Sequence, residues 1–287
     1  MQNKNTMRKK TIKVLFFGDI VGRAARLAVI SYLQKLKAEK KSPDFVIANV
    51  ENASHGFGLT EKNYKDLTEG GIDCLTSGNH IWDKKEIFDY IESADKLIRP
   101  INYPKGTLGQ GSKVFDCGKE KIGVINALGR VFMSPIDSPW EILSNEIEKI
   151  KEITPNIIID FHAEATAEKL CLGRYLSKQG VTALIGTHTH VQTADEQIIN
   201  DMGYITDVGF CGDNQGIIGM DYETSLKRFV NCMPERYDVA QGGDTVINAV
   251  ELHIYDGKTT EIKRLNLIVN NEKKETEAYC ENNCNGS

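Results

Sequence analysis

The chain has 287 residues, 40% of them hydrophobic and 26% charged, the proportions of a soluble globular protein long enough to bury a full core in one domain. Its 35 Lys and Arg against 40 Asp and Glu leave a formal net charge of −5, which excludes a general electrostatic attraction to nucleic acid or to anionic membranes. A phosphorylated ligand must therefore be held by local charge.

No apolar run approaches the roughly 18 residues expected of a spanning helix. Arg8, Lys9 and Lys10 before Val14-Leu15-Phe16-Phe17 imitate a secretory signal. The stretch is too short, however, and it runs into Gly18-Asp19 without a cleavage-like site. Residues 1–10 are read as a solvated leader, 11–270 as a single domain and 271–287 as a polar tail. Seven cysteines, odd in number and scattered, point to reduced thiols and a cytoplasmic protein. Cys280 and Cys284 have nothing near them in sequence to complete a metal site.

Short apolar runs alternate with amphipathic stretches, as in βα units. Lys13 to Phe17 reads as a first strand, and Val29, Leu33 and Leu36 recur at helical spacing after it. Phe45 to Val50 is a second strand. Thr60 can cap a helix that ends at Gly70-Gly71. Cys74 to Thr76 is a third strand and Asp83 to Ser93 a helix. Lys113 to Cys117 and Lys121 to Asn126 form a hairpin about Gly118-Lys119. Pro139 suits the first turn of a helix reaching Lys151. Asn156 to Asp160 is a strand, Glu164 to Leu176 a helix and Thr182 to Gly186 a further strand. Glu196 to Asp207 and Asp244 to Val269 are antiparallel strands, the latter turning at Asp256-Gly257. The pattern describes a sheet sandwich or a sheet core flanked by helices.

In α/β sheets ligands gather beyond the carboxyl ends of strands, and five strands here end in potential ligands. Asp19 follows the first, Glu51 and Asn52 the second, and Asn79 and His80 the third. His162 follows Ile157 to Phe161, and His188 and His190 follow Ala183 to Thr187. A lone Asp after a strand usually closes a turn, and Asn79-His80 after a glycine can do the same. The conjunction changes that reading, since four of the six histidines fall at strand ends beside Asp, Glu or Asn. His188 and His190 also point one way on an extended strand, which suits chelation. His55, in a Gly-rich loop, could touch substrate or do nothing, and His253 reads as structural. Imidazole, carboxylate and amide oxygen without thiolate suit iron, manganese or zinc. Two ions about 3.5–4 Å apart clamp the attacking and leaving oxygens of a phosphoryl group.

Gly18-Asp19, Glu51-Asn52, Gly78-Asn79-His80 and Gly186-Thr187-His188-Thr189-His190 resemble the calcineurin-like metallophosphoesterases. Three longer runs, Asn49 to Asn52, Asp160 to Thr166 and Thr187 to Asp195, are similar to the narrower YmdB-like branch over roughly Lys13 to Val269. The broad superfamily opens with Asp-x-His, but Val21 stands at the second position here. Glu51 replaces the usual bridging aspartate. Both departures match the narrower branch, where the neighbouring asparagine, here Asn52, fills the gap.

The resemblance implies a four-layer α/β/β/α fold and two metal ions, with iron expected and manganese or zinc as alternatives. By the same resemblance, Asp19, Asn52 and His190 hold one ion; Asn79, His162 and His188 hold the other; Glu51 bridges them. His80 donates a proton to the leaving oxygen. The implied reaction is hydrolysis of small phosphodiesters, 2′,3′-cyclic nucleotides above all, by a metal-bridging hydroxide. Asp207 to Gly212, running on to Ile217-Ile218-Gly219-Met220, is expected as a glycine-rich wall near the phosphate. Its middle, Asp213 to Gly216, departs from the family pattern. The rivals are a phosphomonoesterase on the same site and a non-catalytic binder of nucleotide or RNA. The expected partner is a small phosphodiester or nucleotide, with no stable nucleic-acid complex and no membrane; a homo-oligomer is compatible.

Overall fold

The structure is a computed structural model that describes residues 11–270. The expected leader, the polar tail and Cys280/Cys284 lie outside the described residues. In chain order the elements are β1 (Ile12–Phe17), β2 (Asp19–Ile20), α1 (Gly22–Ala38), β3 (Phe45–Asn49), α2 (Glu61–Glu69), β4 (Cys74–Thr76), α3 (Ile87–Tyr90), β5 (Ser112–Cys117) and β6 (Glu120–Leu128). They continue with α4 (Pro139–Lys151), β7 (Ile157–His162), α5 (Thr166–Leu176), β8 (Ala183–Thr187), β9 (Gln197–Ile199), β10 (Met202–Ile205), β11 (Phe210–Asp213), α6 (Tyr222–Asn231), β12 (Thr245–Tyr255) and β13 (Lys258–Val269).

Two sheets form. In the seven-stranded one, β1, β3 and β4 run parallel. The long β12 carries β13 along one edge and β1 and β11 along the other, all antiparallel to it. In the six-stranded sheet, β6, β7, β8 and β10 are parallel, with β5 and β9 as antiparallel edges.

Strand alternation sorts the apolar side chains into three cores and so makes four layers. On β1, Val14 and Phe16 face the other sheet and meet Val124, Ile158 and Ile185. Leu15 and Phe17 face the opposite way, towards Val29 and Leu67 of α1 and α2. The third core lies between the six-stranded sheet and α4 and α5. There Leu143, Ile147 and Ile150 recur at helical spacing and are almost fully buried, each contributing about 1.5–3 kcal/mol. The α/β/β/α expectation is met.

Thr60 caps α2 by accepting from the Asn63 amide, and Pro139 opens α4. The helix expected over Asp83–Ser93 shrinks to α3 and a 3-10 turn at Ile91–Ser93. The reason is local: Ile87, Phe88 and Asp89 amides donate to the carbonyls three residues back, at 3.0, 3.2 and 3.0 Å, and Glu86 turns away to accept from the Glu61 amide. Glu196–Asp207 breaks into the β9–β10 hairpin, because Asn200 and Asp201 both take positive φ, as a tight hairpin turn requires.

Both sheets present the carboxyl ends of their parallel strands at one edge, where polar contacts tie them together. Asn49 Nδ2 donates to Asp160 Oδ2 at 3.1 Å, and the Ser77 amide to Asn126 Oδ1 at 3.1 Å. That edge receives every strand-end residue singled out above.

Candidate metal centre

Asp19 sits at the start of β2, its amide donating to the Gly209 carbonyl at 3.1 Å. A Cβ on Gly18 would lie 2.0 Å from that same oxygen, so only glycine lets the strands approach here. Gly78 plays the same part after β4. A Cβ there would stand 2.3 Å from His162 Cδ2 and 2.4 Å from Glu51 Oε2.

Three oxygens at three separate strand ends are buried without a hydrogen-bond partner: Asp19 Oδ1, Asn52 Oδ1 and Asn79 Oδ1. An unpaired buried acceptor costs about 1–3 kcal/mol. Asn52 is held by its other end, Nδ2 donating to the Gly56 carbonyl at 2.9 Å, which aims its orphan oxygen. Orphan acceptors beside imidazoles and a buried glutamate form a donor set that a hard or borderline cation satisfies. The residues present fit metal ions.

The histidines complete the set, each oriented by a different neighbour. His162 Nδ1 lies 2.9 Å from Thr187 Oγ1, which itself donates to Asp160 Oδ1 at 2.7 Å. That chain puts the proton on Nδ1 and leaves Nε2 facing Glu51 Oε1 at 3.0 Å. His190 Nδ1 donates to the Ile218 carbonyl at 2.8 Å, and its Nε2 lies 3.8 Å from Asp19 Oδ1. His188 is reversed: Nε2 meets Glu164 Oε2 at 3.2 Å, while Nδ1 lies 3.0 Å from His162 Nε2. Such outer partners fix the tautomer of metal-binding imidazoles. Glu51, His162 and His188 each offer a ligand atom within 4.8 Å of the others.

The buried carboxylates and imidazoles of the site shift one another. Burial alone would push the Glu51 carboxyl up, but His162 and the His80 amide outweigh it and hold it at about 2. His162 is pushed up to about 9, because Glu51, Asp19 and Asp160 overcome its desolvation. Burial and the neighbouring His162 push His188 down to about 3, while burial raises Asp19.

His188 and His190 have φ of +104° and +62°, values that non-glycine residues adopt at a cost of about 1–3 kcal/mol. The loop is held in that shape by a pair the sequence reading missed. Lys169 and Asp207 are both fully buried and 2.8 Å apart. Lys169 Nζ also donates to the Thr187 carbonyl at 2.8 Å, and Asp207 accepts from the Thr189 amide at 3.0 Å and hydroxyl at 2.8 Å. The available signal was a lysine at i−3 from Leu172 on the buried stripe of an otherwise apolar helix face.

His80 is placed by its amide, which donates to Glu51 Oε2 at 2.8 Å, and by Nδ1, 2.8 Å from Asp83 Oδ2. Its ring meets the Phe57 ring edge-on, with centroids 4.8 Å apart. A cavity of about 350 Å³ opens on the centre, lined there by Glu51, Asn52, His80, His188 and His190. Of the expected glycine-rich wall, Ile217, Ile218 and Met220 line this cavity, whereas Phe210–Asp213 is spent as strand β11. His55 is exposed, and His253 pairs with Glu251 and Glu261 at 2.9 and 3.1 Å. Sequence reading also missed Glu164 and the whole of α6, which Asp221 caps by accepting from the Thr224 amide.

The sequence matches the profile of YmdB-like proteins over residues 15–265. It is 46% identical over 262 residues to a Bacillus subtilis (strain 168) protein named 2′,3′-cyclic-nucleotide 2′-phosphodiesterase, covering 91% of this chain and 98% of that one. Two crystal structures share the fold closely. A Thermus thermophilus protein superposes with a TM-score of 0.84 at 37% identity, over 90% of this chain and all of the other. A Mycoplasma pneumoniae phosphatase superposes with a TM-score of 0.83 at 33% identity, over 92% and 96%.

Proposed function

Because the chain belongs to the family of YmdB-like proteins, we propose that it is a cytoplasmic, metal-dependent phosphodiesterase acting on 2′,3′-cyclic nucleotides. The observation that carries the metal reading is the trio of orphaned buried oxygens on Asp19, Asn52 and Asn79, converging with three oriented histidines. In this reading Asp19, Asn52 and His190 hold one ion, and Asn79, His162 and His188 the other. Glu51 lies between them as the bridge. The nitrogen and oxygen donor set suits iron, manganese or zinc alike, and the family resemblance makes iron the expected metal. When bound, such ions supply Lewis acidity to the phosphoryl group and to the attacking water.

The chain's own side chains do the rest. Thr187, Ile218 and Glu164 fix which nitrogen each histidine offers. The Lys169–Asp207 pair holds the loop that carries two of them. His80, oriented through Nδ1 by Asp83 and lining the cavity, is the proton donor to the departing ribose oxygen. The name of the Bacillus subtilis relative points to the 2′ ester as the bond cleaved, leaving a 3′-monophosphate. No helix among the described residues is long and apolar enough to cross a membrane, and Cys74, Cys171, Cys211 and Cys232 are free thiols, which supports a reducing compartment.

The test is elemental analysis joined to kinetics. Protein reconstituted with iron or manganese is expected to bind two ions per chain and to hydrolyse 2′,3′-cyclic AMP with a higher kcat/KM than 2′-AMP or 3′-AMP. Protein that stays metal-free, or that prefers the monoesters, overturns the reading.

A further inference from the structure

The cavity that opens on the metal centre has a second wall, supplied in part by α6. Ser225, Phe229 and Tyr237 line it together with Phe57 and Ile218. Ser225 and Phe229 stand four residues apart, so they share one face of α6.

The two residues are unusual in opposite ways. Ser225 is 1% exposed, yet its hydroxyl has no hydrogen-bond partner. Buried hydroxyls are normally paired. Phe229 is 75% exposed, although it lines a cavity. The other aromatic rings of this wall are already engaged: Tyr237 lies under the Arg228 guanidinium at 4.1 Å and 6.4 Å from the Phe57 ring, which in turn meets His80. Among the described residues no ring packs on Phe229. The helix that presents it is opened by the Asp221 cap, and Arg228 Nη1 donates to the Glu235 carbonyl at 2.8 Å.

Charge gives the cavity a direction. No Lys or Arg among the described residues lines it, so an anionic phosphoryl group belongs at the metal end. The α6 end offers an aromatic face, aliphatic side chains and one unpaired hydroxyl. Those are the partners of an uncharged, flat, polar-edged group joined to the phosphoryl end.

We infer that α6 forms the nucleoside subsite: Phe229 stacks on the base, and Ser225 hydrogen-bonds a polar edge of the nucleoside. This rests on the phosphoryl group sitting at the metal end, as proposed above. Base–aromatic stacking is tolerant of base identity, and a hydroxyl both donates and accepts, so the subsite takes purines and pyrimidines alike.

The experiment compares two substrates with one reacting group, 2′,3′-cyclic AMP and the methyl riboside 2′,3′-cyclic phosphate, which lacks the base. The quantity read is the ratio of their kcat/KM values. In Phe229→Ala that ratio is expected to fall roughly 10- to 100-fold, the range for losing one stacked base, and to do so through KM. Phe229→Trp restores it, and Ser225→Ala lowers it by a smaller factor. A ratio unchanged in Phe229→Ala, or equal losses on both substrates, overturns the subsite. If Phe229→Ala instead dissociates an oligomer in sedimentation while the ratio holds, the face is a contact between copies, and the subsite is again overturned. Wild-type turnover of both substrates with unresponsive variants defeats only the subsite; turnover of neither defeats the proposed function with it.

Discussion

Replacing Lys169 by Met should cost far more stability than its single ion pair would at the surface. Lys169 and Asp207 are both fully buried, and Asp207 also accepts from Thr189 and Gly209. Removing the ammonium leaves a buried carboxylate without its counter-charge, a loss of about 3–5 kcal/mol for a buried pair broken on one side. In a chain of this size each kcal/mol moves Tm by roughly 2 °C, so a fall of about 6–10 °C is expected. The measurement is guanidinium and thermal unfolding of metal-free protein, which keeps ion binding out of the comparison. Asp207→Asn removes the charge that Lys169→Met strands, so the double variant should be less destabilised than the two singles summed, by about 2 kcal/mol or more. Because Asp207 also holds Thr189 between His188 and His190, Lys169→Met should retain less metal on dialysis than wild type does. Additive losses, or a Tm change under about 2 °C for Lys169→Met, would refute the argument that this pair braces the loop.

Two further outcomes concern the site itself. His80→Ala should keep both ions and lose roughly 10²–10⁴-fold on a 2′,3′-cyclic nucleotide, whose alkoxide needs a proton, but much less on bis-nitrophenyl phosphate. Loss of an ion would make His80 a ligand, and equal losses on both substrates would leave it a positioning residue. Glu164→Gln keeps the shape but weakens the acceptor for His188 Nε2, so metal affinity should drop roughly 10- to 100-fold. Calorimetric titration of the metal-free protein checks this, and an unchanged affinity would detach Glu164 from the centre.

Much of this protein was legible before any coordinates, for local reasons. Burial on a strand shows as an apolar run and on a helix as a three-to-four-residue recurrence, so β1, β3, β4, α2 and α4 could be bounded to within a residue or two. Because parallel strands deliver their carboxyl ends to one edge, Asp19, Glu51, Asn52, Asn79, His80, His162, His188 and His190 could be gathered without knowing strand order. What tertiary structure alone decided depends on partners distant in the chain. The tautomers of His190 and His188 turn on Ile218 and Glu164, each more than twenty positions away in the chain. Lys169 is a clamp only because Asp207 lies opposite it, and its place on a buried helix stripe marks the lysine as unusual without naming that partner. α6 carried a helical pattern that the sequence reading passed over, and its role rests on a cavity that only the fold defines. Tyr222, Leu226, Phe229 and Val230 recur at helical spacing after the Asp221 cap, but only the fold shows that this stripe stays exposed, and Ser225 means something only once Glu51, His80 and His190 stand across the same space.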